Sequence, residues 1–278
     1  MTRIVTDSSS DISPRLAAEL GITVLPMRIR FGTETYYDSV DISRADFYRY
    51  WAKRTGRPTA QPPTVEEFQQ AYRRLLSNSD QVLSIHVSSS LSSTAQVARD
   101  ATKAFLGRGK ITVIDSRVIS WGLEILVTFA AEAAKRGASV EDIVRLIRGV
   151  IPHIYMVFHV EDLDSVEGRR YRGMKRLPSE NLPSTRPLLI LEDGELIPME
   201  RVRSRGTLTE RLFEFVAEFA RFDRATILQG RLANGAQSLF EHLIDAFPDK
   251  RLDVKPYGLV LATYLGPDAL GVCVYEGR

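Results

Sequence analysis

The chain has 278 residues, 44% hydrophobic and 26% charged, enough for one large or two ordinary globular domains with a sizeable core. Thirty-seven basic against 35 acidic residues leave a net charge of +2, so no bulk basic field marks a nucleic-acid binder. The single cysteine, Cys273, excludes an internal disulfide and a thiolate cluster; with no apolar run of membrane-spanning or signal-peptide length, a cytoplasmic home without stable membrane insertion is expected.

In chain order, apolar runs rich in β-branched residues predict strands at Ile4–Thr6, Ile22–Ile29, Val82–Val87 and Ile111–Ile114. Helical patterns lie between them. Ser43 and Thr64 stand where N-caps belong, and Thr64 with Glu67 forms a capping box for a helix that buries Phe68, Ala71, Tyr72 and Leu75. The alternation predicts an α/β fold whose N-terminal domain, residues 1–160, has a mainly parallel sheet with flanking helices.

After a strand ending near Val160, the stretch EGRRYRGMKRLPSENLPSTRP reads as a boundary or connection. Residues 161–278 are expected to form a C-terminal domain with a mixed sheet. RPLLILEDGELIPMERV is a hairpin around Asp193-Gly194, and Thr207 with Glu210 boxes the next helix. The strand ATILQG, a helix through Leu239–Ala246, and strands in LDVKPYGLVLATYLG and ALGVCVYE follow.

Ser88, Ser89, Ser90, Ser92, Ser93 and Thr94 put six hydroxyls at the turn where Val82–Val87 hands over to a helix. Ligands of open parallel sheets lie at such strand ends, and hydroxyls donate to an anion without titrating near neutrality. A helix cap, Ser93 with Gln96, accounts for one or two of them. VTDSSSDIS, with Asp7 and Ser8, and RPTAQPP, a loop with Thr59 and Gln61, have the same character.

Other chemistries lack their residues. G-x-G-x-x-G, the Walker loop and G-x-S-x-G are absent. No histidine pair has zinc-binding helical spacing, and Asp7–Asp11 lacks the Gly and distal Glu of a calcium loop, so no metal is expected. A serine esterase or acyl transferase would need a base beside Ser92, and His86 is the nearby candidate. A binder of some other small anion at the same turn is a further alternative. Arg169, Arg170, Arg172, Lys175 and Arg176 form a cationic run suited to a phosphate-bearing partner.

Taken together, the motifs resemble those of the DegV family. TDSSSDIS is similar to that family's T-D-S-x-x-D-[IL], TAQPP to T-S-Q-P-S, and SSSLSSTAQ to S-S-x-[LI]-S-G-T-Y-Q. VIDSRVISWG, RPLLILEDGELIPMERVRS and YLGPDALGV match further segments in the same order over nearly the whole chain. The resemblance implies the two-domain fold called EDD and a non-catalytic fatty acid-binding protein that works with a fatty acid kinase. The only implied ligand is a long-chain acid such as palmitate, with no cofactor. It assigns the carboxylate to Thr59 and Ser92 and puts Tyr264 near the same head group; the donor turns themselves add Ser89, Thr94, Gln61, Asp7 and Ser8 as candidates around it. Arg169, Arg170, Arg172 and Arg203 become candidates for docking the kinase. Tyr264 stands where the family has His, and Asp268 where Gly is usual, which brings a negative charge towards the expected carboxylate.

Overall fold

The computed structural model describes residues 1–53, 57–79, 81–107, 109–160, 186–202, 205–231 and 234–277. The chain divides into two compact units, Met1–Ile151 with Gly258–Thr263, and Pro152–Tyr257 with Tyr264–Arg278.

In the first unit β1 (Arg3–Asp7) and α1 (Pro14–Leu20) lead to β2 (Ile22–Leu25), β3 (Arg28–Phe31), β4 (Glu34–Tyr37) and α2 (Arg44–Lys53). Then come β5 (Thr59–Gln61), α3 (Val65–Leu76), β6 (Gln81–His86), α4 (Thr94–Thr102), β7 (Lys110–Asp115), α5 (Trp121–Lys135) and α6 (Val140–Val150). The main sheet has order β2-β1-β6-β7, with every neighbouring pair parallel. Its two central strands, β1 and β6, are buried almost throughout, as strands covered on both faces must be. Val5 and Val82 pack on one face against Phe68 and Tyr72 of α3 and Ala98 and Ala101 of α4. Each large side chain so buried contributes roughly 1.5–3 kcal/mol. The Thr64–Glu67 capping box starts α3 as expected.

The segment expected as one strand, Ile22–Ile29, is two. Pro26 has no N–H for a ladder, so pairing breaks there. β2 stays in the parallel sheet, while β3 joins a separate antiparallel sheet of order β4-β3-β5. Thr59 and Gln61 therefore lie on a strand, paired with Arg30 and Arg28, and not in a loop.

The second unit contains β8 (Ile154–His159), β9 (Arg186–Glu192), β10 (Glu195–Val202), α7 (Arg205–Ala217), β11 (Arg224–Gln229), α8 (Asn234–Ala246), β12 (Arg251–Pro256) and β13 (Leu270–Tyr275). Its sheet has order β10-β9-β8-β13-β11-β12 and is mixed, since β11 and β12 are parallel and all other pairs antiparallel. Because β8 pairs with β13 and β9, it belongs here, and the division falls upstream of the expected residue 160. The β9–β10 hairpin turns at Asp193 and Gly194, whose φ values of 48° and 85° suit a primed two-residue turn. α7 begins at Arg205, two residues before Thr207.

GLVLATYL, expected as strand, is the helix α9 (Leu259–Leu265) after β12 ends at Pro256. A short continuous apolar run has no period to distinguish the two states. Among the described residues no helix is long and apolar enough to cross a membrane.

Candidate functional site

The turn between β6 and α4 uses most of its own backbone donors. Val87 N donates to Asp7 Oδ2 at 3.2 Å, and Ser89 N to Asp115 Oδ1 at 3.1 Å. Ser88 N reaches Val118 O at 3.0 Å, while Leu91 N and Ser92 N both return to Ser88 O, at 3.0 and 2.9 Å. Thr94 N points at Ser92 Oγ, 3.3 Å away. An anion at this turn therefore meets side-chain hydroxyls rather than a ring of free peptide N–H groups.

Ser92 Oγ and Thr94 Oγ1 lie 2.8 Å apart, both buried. One hydroxyl proton bridges the pair, which leaves the other free to donate outward without adding a charge. Ser93 makes no capping hydrogen bond, so the expected Ser93–Gln96 box is absent. Gln96 Nε2 instead donates to Asp100 at 3.3 Å. Ser89 is exposed and bonds through both N and Oγ to Asp115, at the end of β7.

Asp7 ends β1 beside this turn and gathers donors. Oδ1 accepts from Ser9 N at 3.1 Å and from Ser9 Oγ; Oδ2 accepts from Val87 N and lies 2.8 Å from His86 Nδ1. His86 Nε2 is 2.7 Å from Ser84 Oγ, which in turn accepts from Tyr72 Oη at 2.9 Å. Tyr72, Ser84, His86 and Asp7 thus form one buried chain of hydrogen bonds. Burial pushes the Tyr72 hydroxyl well above the usual tyrosine range, consistent with its staying a donor. Asp7, Ser84 and His86 have the connectivity of a catalytic triad, yet all three are completely buried. The esterase reading needs His86 beside Ser92; here its two nitrogens face Asp7 and Ser84.

Ser8 Oγ accepts from Met27 N at 3.0 Å and also bonds Asp38. Burial raises the carboxyl of Asp38 above the ordinary range against the pull of Ser8 and Ser39. Thr59 on β5 is exposed and Gln61 half-buried. Tyr264 is buried and falls in the second unit. Asp268 is gripped by Arg231 through two bonds of 3.0 and 2.7 Å, which offsets the charge that the sequence brings there. No local sequence signal links Arg231 to Asp268, 37 positions on. Arg169, Arg170, Arg172 and Arg203 lie outside the described residues.

The uncharged donors lie at the carboxyl ends of parallel strands, where open α/β sheets take their ligands. A family model described as "Uncharacterised protein, DegV family" matches residues 1–277, and the chain belongs to that family. It is 31% identical to the DegV domain-containing protein BH3627 of Halalkalibacterium halodurans, over 98% of this chain and 97% of the relative. With Protein DegV of Bacillus subtilis the identity is 27%, covering 97% of each chain. A structure described as fatty acid binding of a DegV family protein from Thermus thermophilus superposes with a TM-score of 0.90 at 26% identity, covering 99% of each chain. DegV of Bacillus subtilis, described as a fatty acid binding protein, gives 0.85 at 26% identity and the same coverage.

Proposed function

We propose that this protein binds one long-chain fatty acid and is not itself a catalyst. The carboxylate is held by Thr59 and Ser92, with Thr94 behind Ser92 orienting its proton. The observation that carries this reading is the buried Ser92–Thr94 pair, an uncharged donor, while His86 is bonded to Asp7 and Ser84. The fatty acid binding of the Thermus thermophilus and Bacillus subtilis relatives supports the choice of ligand.

The energetics suit such a carrier. Burying a methylene contributes roughly 0.8 kcal/mol, so about fourteen give on the order of 11 kcal/mol before ordering costs, which leaves room for micromolar or tighter binding. Neutral donors hold a carboxylate while leaving an oxygen available to attack a phosphoryl group. We therefore assign the bound acid to a separate cytoplasmic kinase, which would transfer phosphoryl from ATP to give the acyl phosphate. Arg169, Arg170, Arg172 and Arg203 are assigned to docking that kinase, since guanidinium forks match phosphate geometry.

Native mass spectrometry of the protein purified from cells should find a bound acid, and delipidated protein should take up a C16 acid saturably. In the Thr59→Ala, Ser92→Ala double variant, loss of two hydrogen bonds to a charged group, at about 1.5–3 kcal/mol each, should weaken binding at least a hundredfold. Unchanged affinity would remove both residues from the site, and absence of any uptake by the parent protein would end the reading.

A further inference from the structure

We propose that Asp11 is a proton-operated latch holding the segment Gly258–Thr263 on the first unit. Three stretches far apart in sequence meet at its side chain. Oδ2 accepts from Gly258 N at 2.8 Å and from Ser120 Oγ. A β-carbon placed on Gly258 would come within 1.8 Å of Asp11 Oδ1, so the segment docks against this carboxyl only because residue 258 is glycine.

The backbone around the latch is held in uncommon conformations. Asp11 has φ 54° and ψ 14°, the left-handed region entered after the Ser8–Ser10 turn. Ser120 has φ 56° and ψ −132°, a region that residues with a β-carbon rarely occupy. Its N–H donates to Ser9 O at 2.7 Å while its hydroxyl faces Asp11, so the contacts that fix the latch also fix the strain. A cleft of about 450 Å³ lined by Ser39–Arg44, Gly258 and Leu259 opens beside the segment and gives water a path to it.

The charged groups acting on Asp11 are Asp38, beyond the end of β4, and Arg44, at the start of α2. The loop before α5 offers the Ser120 hydroxyl, and the docked segment offers the Gly258 peptide. Asp7, at the end of β1, acts on Asp38 in turn. Burial lifts the docked Asp11 carboxyl to about 7; Ser120 and Gly258 pull it down, Asp38 pushes it up and Arg44 draws it down. Released into water, the group returns to about 4.

The docked state thus binds the proton more tightly than the released state. Docking is firmest in acid, weakens as pH rises from about 4 through about 7, and levels off above that. Each pH unit of difference is a factor of ten, so the full swing is roughly a thousandfold in the opening equilibrium.

Hydrogen exchange of the full chain, read by mass spectrometry between about pH 5 and pH 8 and corrected for the intrinsic rate, tests this without reference to any ligand. Peptides covering Gly258–Leu265 should open roughly a hundredfold more readily across that range, while α3 peptides show no such slope. Asp11→Asn should abolish the slope. Ser120→Ala, which removes a bond favouring the ionised form, should move the midpoint to higher pH and gives the decisive reading if Asp11→Asn does not fold. A wild-type segment with no pH slope, an Asp11→Asn slope equal to the wild type's, or a Ser120→Ala midpoint that stays put would overturn the latch.

Discussion

Two hydroxyl-rich turns leave neighbouring parallel strands of the same sheet, and they behave in opposite ways. After β1, Thr6–Asp11 contains two carboxylates, and Asp7 draws in Ser9, His86 and Val87, so that the turn ties its neighbours together. After β6, Ser88–Thr94 contains none. Its peptide donors turn to Ser88, Ser92, Val118 and Asp115, and the buried hydroxyls of Ser92 and Thr94 face each other. An acid inside a buried turn draws donors from its neighbours, though the buried hydroxyls of Thr6 and Ser10 beside it stay unpaired; the turn without one has only hydroxyls to offer. The first turn braces its neighbours, and the second is the one we propose to bind the ligand.

Removing the brace should have the largest effect. Asp7→Ala strands His86 Nδ1 and Val87 N–H in a buried setting, so unfolding by urea should show a loss of about 3 kcal/mol or more. A loss under about 1 kcal/mol would mean that the two turns do not differ in this way. Thr94→Val tests the other side of the contrast, since it keeps the shape and deletes the hydroxyl. Calorimetric titration with a C16 acid should show affinity lower by about 1 kcal/mol, roughly fivefold, with the fold intact. Equal affinity would place Thr94 outside the binding role. Ser89→Ala should matter least. Ser89 is exposed and bonded to Asp115, so about 0.5 kcal/mol of stability and no change in ligand affinity are expected. A clear fall in affinity would show that binding extends past Ser92 to the rim of the turn.

Elements with a strong local signal are legible in the sequence. β6 and β7 carry apolar β-branched runs, α3 announces itself by Thr64 and Glu67, and the β9–β10 hairpin turns where Asp193-Gly194 supplies two positive φ angles. β4 and β5 had no such signal, because they are short and expose much of their surface. α9 misled in the other direction, its uninterrupted apolar run fitting strand and helix alike. Of the candidate site, the hydroxyl turn was visible as composition, whereas the roles within it were not. Ser93 occupied the capping position without capping, and Ser89 turned to Asp115.

Period, caps, turn residues and ordered motifs were thus enough to state the α/β class and the family, because each acts within a few residues of chain. Which donors are already taken was decided only by folding. His86 meets Asp7 across 79 positions, and Gly258 meets Asp11 across 247. No local preference encodes such meetings. They arise when strand order and burial bring polar groups together in a place where each must find a partner.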